Sequence, residues 1–398
     1  MLALKLSAYS IASALGAGLA ATLASLQARQ SGLVRKRWET VDFDTCIGEV
    51  AGLNAFALRS DLARFDCRNN RLAQMALETD GFANAVRAAI VSYGASRVGV
   101  FLGTSTSGIL SSEIAFRDHE RDPATGIWAT HDYRHTHNTY SVGDFVRSYF
   151  GLKGPAWVVS TACSSSAKVF ADAQRMMACG LIDAAIVGGA DSLCLTTIYG
   201  FNSLQLVSKD PCKPYDARRD GISIGEAGAF ILVERGELAA PGDIIMSGVG
   251  ESSDAHHMSS PHPEGLGARH AMQAALDMAR LTPADIGYIN LHGTATPSND
   301  AAEGKGVTGL FGSATPCSST KGHTGHTLGA AGGVEAIICA LALEHGFAPA
   351  GTGSTEIDPR IPLDYLLENR KLPLRHVLSN SFGFGGSNAS LVLSKVEA

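Results

Sequence analysis

Short, almost purely apolar runs recur along this chain, separated by stretches patterned for helix. They cover residues 97–102, 156–160, 184–187, 229–233, 244–248, 286–291, 376–380 and 389–393. A strand with one wet face alternates polar and apolar residues; a strand apolar throughout is covered on both faces. Alternation of such strands with helices predicts an α/β protein built of stacked layers. A chain of 398 residues is also longer than one simple core usually holds, so two packed halves are expected. A faint internal repeat fits that expectation. Residues 223–235 and 384–395 share one layout: glycines, a final strand, then charge. Each copy would close one half, giving residues 1–238 and 239–398, with the join near 236–242.

The N-terminus allows two readings. From Lys5 to Arg29 no charge intervenes, which outlines a signal peptide. The stretch is rich in Ala, Ser and Gly rather than Leu or Ile, which weakens a membrane span. The alternative is a buried strand over residues 6–12, a turn at residues 16–18 and a helix to about Arg29. The net charge of −6, without a basic run, argues against nucleic-acid binding. The eight cysteines form no CxxC pair or zinc-finger spacing. They suit a reducing compartment, and a cytoplasmic location is expected. Residues 112–138 are polar and carry His131, His135 and His137, but no tight metal-ligand set. A solvated excursion or a dimer-cap segment is expected there.

One apolar run, residues 156–159, leads into Ser160-Thr161-Ala162-Cys163-Ser164-Ser165-Ser166, and a helical pattern follows. A cysteine at such a strand-to-helix elbow has its sulfur at the positive end of the helix, which favours thiolate. The same text also fits a small buried cysteine in a close-packed turn. Three further segments place donors in glycine-rich loops at strand or helix ends. They are His292-Gly293-Thr294-Ala295-Thr296-Pro297, the loop from Lys321 through His326 to Gly332, and Phe382-Gly383-Phe384-Gly385-Gly386-Ser387-Asn388. Loops on a rigid scaffold are where chemistry usually sits.

These four segments, in this order, resemble the elongating β-ketoacyl-acyl-carrier-protein synthases of the thiolase superfamily, over roughly residues 6–393. The resemblance implies a thiolase fold, with duplicated βαβ halves in a five-layer α-β-α-β-α core. It implies decarboxylative Claisen condensation of an enzyme-bound acyl thioester with a malonyl thioester. No cofactor or metal is expected, because the substrates ride on the phosphopantetheine of an acyl carrier protein. A dimer is expected, with a second copy or with a related chain-length-factor subunit, and no membrane insertion.

Site roles follow from the chemistry and the resemblance together. Cys163 would carry the acyl group. His292 and His326 would donate to the enolate oxygen, and the amides of Cys163 and Phe384 would form an oxyanion hole. In this family the residue matching Phe384 also looks like a gate on the acyl channel. Lys321 would hold His326, with Glu335 as its partner, and Asp300 would stand behind His292. His323 is read as structural. Thr294 and Thr296 would position a pantetheine arm.

Two departures from the family stand out. Ala295 replaces a usual glycine, so its methyl group would narrow or stiffen the pantetheine path. Thr106 lies where related enzymes can carry a bulky apolar residue, which suggests a more polar acyl pocket. That would suit a polyene or polyketide chain and a subgroup such as the aryl polyene synthases. For carrier docking, Arg64, Arg68 and Arg71, next to Arg59, would share one helical face. Among the alternatives, a non-catalytic chain-length factor would lack Cys163. A Cys-His hydrolase would need one histidine with an evident Asn or Asp orienter. A plain thiolase would carry a second cysteine in the C-terminal glycine loop, and residues 384–388 hold none.

Overall fold

A computed structural model describes residues 2–122, 124, 126 and 131–397. The first half contains β1 (Leu4–Ser13), α1 (Arg68–Leu77), α2 (Phe82–Tyr93), β2 (Val98–Gly103), α3 (Ser141–Phe150), β3 (Ala156–Val159), α4 (Ser165–Ala178), β4 (Ala184–Asp191) and β5 (Ala227–Arg235). Its strands lie in the order β3-β2-β4-β5-β1. The pairs β3/β2 and β2/β4 are parallel, while β4/β5 and β5/β1 are antiparallel.

The second half contains β6 (Ile244–Ser253), α5 (Leu266–Ala279), β7 (Tyr288–Asn290), α6 (Pro297–Phe311), β8 (Pro316–Ser318), α7 (Ala331–His345), β9 (Asp364–Tyr365), β10 (His376–Gly383) and β11 (Ser387–Lys395). Its order, β8-β7-β10-β11-β6, repeats the first half strand for strand, and β9 adds an edge beyond β8. The parallel and antiparallel pairings repeat as well. The halves meet where β1 pairs antiparallel with β6, Leu4 opposite Met246 and Lys5 opposite Ile245.

Helices cover both faces, which is why β2 and β4 are buried along their whole length. The helices α1, α2 and α3 pack outside the first half, and α5 and α6 outside the second. Between the halves lie α4 and α7, each touching strands of both. This is the five-layer thiolase arrangement. Residues Leu328–His345 are long and apolar enough to cross a membrane, yet 89% of that window is buried inside the molecule. A helix apolar on all sides is the core of a large protein, and α7 fills that place here.

The N-terminal segment forms β1 and then a helix over Leu19–Gln27, the second of the two sequence readings. In the polar segment, residues Ile109–Arg121 form a helix buried at Leu110, Ser112 and Ala115 and exposed toward its end. Within it, Ser112 meets His131 at 3.2 Å and also contacts His137. Pro123 lies outside the described residues.

The expected carrier-docking face does not form. Arg64 belongs to a 3₁₀ turn, Ser60–Phe65, and its guanidinium sits 4.9 Å over the Phe65 ring. Arg71 pairs with Asp66 at 2.5 Å. Arg68 turns inward, its side chain only 10% exposed, and pairs with Glu226 at 2.6 Å and Glu49 at 3.3 Å. The cause is Glu226. This fully buried carboxylate accepts the N–H groups of Val50 and Leu193 and needs a counter-charge. Helical spacing put 68 and 71 on related faces, but spacing does not say which face is covered.

Truncating one member of a buried ion pair leaves the other uncompensated, at a cost of about 3–5 kcal/mol. An exposed pair contributes about 0–1 kcal/mol. Arg68→Ala is therefore expected to destabilise the fold severely, while Arg71→Ala changes little. Denaturant unfolding of both variants checks this; equal, small losses would mean that Arg68 is not structural.

Candidate active site

The strand β3 ends one turn before Cys163. Ala162 takes a left-handed φ of 53°, unusual for a residue with a Cβ. Local hydrogen bonds hold that turn: Thr161 N–H donates to the Ser165 hydroxyl at 2.9 Å, and that hydroxyl donates to the Ala162 carbonyl at 2.6 Å. A 3₁₀ turn, Ala162–Ser164, then feeds α4. Cys163 is 5% exposed. Burial pushes its thiol up to about 12, while Lys321 and the Phe384 amide pull it back. This corrects the expectation of a resting thiolate: at this depth desolvation outweighs the helix end.

His326 precedes α7. Its backbone is pinned, its N–H donating to Ser223 O at 2.7 Å while its carbonyl accepts Gly225 N–H at 3.0 Å. That pinning delivers its Nε2 to within 2.9 Å of the Cys163 sulfur. His292 leaves the end of β7. Its ring stands 5.4 Å from that of His326, at 82°.

Lys321 does not hold His326, the role expected for it from spacing. Because backbone pairing to Ser223 and Gly225 carries His326 away, the ammonium faces His292 instead. It lies 3.3 Å from His292 Nδ1 and 2.6 Å from the His292 carbonyl, and it pairs with Glu335. Burial pushes the Glu335 carboxyl up to about 7, with Lys321 pulling the other way.

Asp300 also stands elsewhere than expected. It accepts the N–H groups of Tyr215 at 2.8 Å and Ala295 at 3.2 Å, so it braces the loop rather than the His292 ring. The carboxylate behind His292 is Glu303. It accepts the N–H groups of His292 and Gly293, both at 2.8 Å, the Tyr215 hydroxyl at 2.9 Å and the Asn380 amide at 3.1 Å. Its signal was present in the sequence. Asp300 and Glu303 are three apart in a helix that opens on the His292 loop, and such a pair shares one face.

A cavity of about 570 Å³, counting its open mouth, reaches Cys163, His292 and His326. Thr294 and Thr296 line it, their hydroxyls 2.9 Å apart. Ala295 does not narrow it. Its φ of 67° turns the residue away, and it is fully buried outside the lining. Thr106 does not line this cavity either. Its hydroxyl donates to the buried Asp191 at 2.8 Å and accepts Ser192 N–H at 3.1 Å. Asp191 also accepts Gly329 N–H at 2.5 Å, tying that loop to the one after His326. Nothing in the sequence pattern marked Asp191 for this role.

Phe384 covers the cavity, 36% exposed and 5.5 Å from Phe201. Gly385 and Gly386 follow with φ of 81° and 75°, which glycine alone adopts freely. Met258 O accepts Gly385 N–H at 2.7 Å, and Gly386 O accepts Asp254 N–H at 2.9 Å, tethering the loop to residues 254–258.

The two imidazoles are matched electrically. Burial and the Lys321 charge hold both well below the usual histidine range, so both are neutral at neutral pH. Each Nδ1 faces a donor: the Lys321 ammonium for His292, and the Leu328 N–H at 3.3 Å for His326. An acceptor at Nδ1 places the ring proton on Nε2. Both N–H groups then point into the cavity beside the sulfur. Such a site offers a nucleophile and two neutral donors for an oxygen that gains negative charge.

Residues 10–239 match the N-terminal domain, and 244–354 the C-terminal domain, of beta-ketoacyl synthase. A 3-oxoacyl-acyl-carrier-protein synthase 2 of Staphylococcus aureus is 38% identical over 262 residues, 62% of this chain. A mitochondrial 3-oxoacyl-acyl-carrier-protein synthase of Arabidopsis thaliana is 38% identical over 266 residues, again 62% of this chain. The matched stretch spans 63% of the bacterial relative and 58% of the plant one. Among solved structures, a chain of the ketosynthase–chain length factor complex of Xenorhabdus doucetiae is 40% identical. It superposes with a TM-score of 0.92 over 99% of this chain and 98% of that one. A beta-ketoacyl synthase of Burkholderia phymatum is 28% identical, with a TM-score of 0.87 over 100% of both chains.

A thiol held near 12 is thiolate in a fraction that grows about tenfold per pH unit. Alkylation of Cys163 by iodoacetamide, followed by peptide mass, is therefore expected to accelerate from pH 7 to 9.5 without levelling. A plateau below pH 8 would show a stabilised resting thiolate, with burial no longer the dominant influence on the sulfur.

Proposed function

The chain belongs to the β-ketoacyl synthase family, and from that premise we propose that it is a catalytic condensing subunit. It moves an acyl group from a carrier thioester to Cys163 and condenses it with a malonyl thioester. The convergence of one thiol and two Nε2–H donors in a single buried cavity carries this reading. In the first half-reaction the Cys163 sulfur bonds to the acyl carbon, and the carrier thiol leaves with the proton. In the second, the malonyl group loses CO₂ and the freed electron pair forms an enolate. His292 and His326 donate to its oxygen. The enolate carbon attacks the acyl carbon, and the tetrahedral oxyanion faces the Cys163 and Phe384 amides. Collapse releases the 3-oxoacyl thioester, and the Cys163 sulfur regains a proton from water. Thr294 and Thr296 flank the path a pantetheine arm takes to the sulfur.

The presence of Cys163 with both histidines supports catalysis over a chain-length-factor role. We also infer a carrier-protein substrate, a cytoplasmic location and a paired assembly. The Xenorhabdus doucetiae structure and the ishigamide structure are each described as a ketosynthase with its chain length factor. Among the described residues β3 is an edge strand, half-buried along its length, with β2 on one side only. An open edge of that kind is a template for pairing with another chain. A polyene-type pathway rests on the Xenorhabdus doucetiae likeness alone, since Thr106 does not line the cavity. Arg68 is committed to Glu226 and Arg71 to Asp66, which argues against a carrier contact through them.

Cys163→Ala is expected to abolish acyl loading, read by intact mass after incubation with acyl carrier proteins. His292→Ala and His326→Ala should each slow malonyl decarboxylation by on the order of 10²–10³, with smaller effects on loading. Loading that survives in Cys163→Ala would sink the assignment; equal loss of loading in both histidine variants would make them thiol activators instead.

Co-expression with a ketosynthase-fold partner lacking the cysteine should yield a one-to-one pair by size measurement. A monomer both alone and with the partner would refute the paired assembly.

A further inference from the structure

Cys163, His292 and His326 bring one sulfur and two ring nitrogens within 4.8 Å of one another, all buried. Zinc favours such a set: thiolate and imidazole ligands at about 2.0–2.3 Å, three from protein and an open fourth position. Neutral imidazoles add no competing proton charge. By inventory alone this cluster is a metal site.

The atoms behind the rings have the opposite sense. A ligating histidine donates its remote N–H to a carboxylate or carbonyl, leaving a lone pair for the metal. Among the described residues, no such oxygen meets either Nδ1. Lys321 Nζ stands 3.3 Å from His292 Nδ1, and the Leu328 N–H donates to His326 Nδ1 at 3.3 Å. Both rings therefore turn N–H groups toward the space a cation would fill. Behind His292 stands a like charge, the ammonium, anchored by Glu335 and by the His292 carbonyl.

We propose that Lys321 is a positioning residue that also keeps this Cys-His-His cluster from binding zinc-class cations. It does so by fixing the Nε2–H tautomer of His292 and by its charge. A nucleophilic thiol between two imidazoles needs such protection, because the donor set that stabilises an enolate differs from a zinc site by only the placement of ring protons. The protection holds whatever acyl group the site accepts.

Replacing the ammonium with an acceptor should convert the cluster. In Lys321→Gln the introduced amide oxygen can accept from Nδ1, and Glu335 loses its cation. Zinc would then displace the Cys163 proton to solvent, while the His292 proton moves from Nε2 to Nδ1. His326, still facing the Leu328 N–H, keeps its Nε2 proton, so the metal takes the sulfur, the His292 nitrogen and solvent. The test titrates Zn²⁺ against a chromophoric chelator and Co²⁺ by visible absorption, without turnover, so failure here is separable from failure of the condensing reading. The parent is expected to show no Cys163-dependent metal binding. Lys321→Gln should bind one equivalent at least about 10–100-fold more tightly than the parent. Its Co²⁺ form should show tetrahedral and thiolate bands, lost when Cys163→Ala is added. Lys321→Arg, which keeps charge and donors, should behave as the parent. Cys163-dependent zinc binding by the parent overturns the proposal, whether or not any variant folds. So does a folded Lys321→Gln that binds no more tightly than the parent.

Discussion

Two helices meet at their starts, and the site exists because of that contact. A Cβ at Gly332, in the first turn of α7, would lie 2.5 Å from Ala167 N and 2.7 Å from its Cβ. On the other side of α4, a Cβ at Gly103 would lie 2.3 Å from Ser166 N. Such distances exclude any side chain, so α4 is clamped between β2 and α7 by two glycines. The Ser166 hydroxyl accepts Gly333 N–H at 2.9 Å across the contact. With the helix starts pressed together, the turns that precede them must also meet. One carries Cys163, the other His326. The duplicated halves thus do more than repeat a fold: each sends its central helix to the shared layer, and the chemistry sits at the join.

Glycine-rich loops lack order of their own, and here buried carboxylates supply it. Glu303 fixes two backbone N–H groups at His292 and Gly293, together with a tyrosine and an asparagine. Asp191 fixes the N–H groups of Ser105, Thr106 and Gly329. A carboxylate has about four lone-pair positions, so one side chain can hold several backbone groups at once. The burial cost is offset by charge-assisted hydrogen bonds rather than by a cation. Lys321 with Glu335 is different. There the cation itself is needed, because it must face a ring nitrogen.

The parts of this arrangement that are contiguous in sequence were legible in it. Strand runs, the Cys163 elbow and the two histidine loops each lie within a few residues, and local pattern reports them. Contacts between distant segments were not legible. Spacing put Lys321 near His326, but the pairing of residues 223–225 with His326 redirected the lysine to His292. Arg68 looked like a solvated cation because nothing local announces that Glu226, far along the chain, is buried beside it. Thr106 looked like a pocket wall until Asp191 claimed its hydroxyl. In each case the missing information was a partner distant in the chain, or a backbone trajectory.

The sense of the hydrogen bonds behind the rings decides which reaction the cluster suits. A Cys-His hydrolase needs a histidine that accepts the thiol proton, with an acceptor behind it to steady the resulting cation. Here His326 has a backbone donor behind it, and burial disfavours its charged form. His292 has an ammonium behind it, which disfavours a cation further. Neither ring is built to hold a proton charge. Both are built to lend an N–H to an anion without losing it. A thiol that is protonated at rest fits the same logic. In the proposed reaction its proton need not be stored on a neighbour, because the carrier thiol would leave with it, and the charge that most needs support would then fall on the enolate oxygen, where both rings can point.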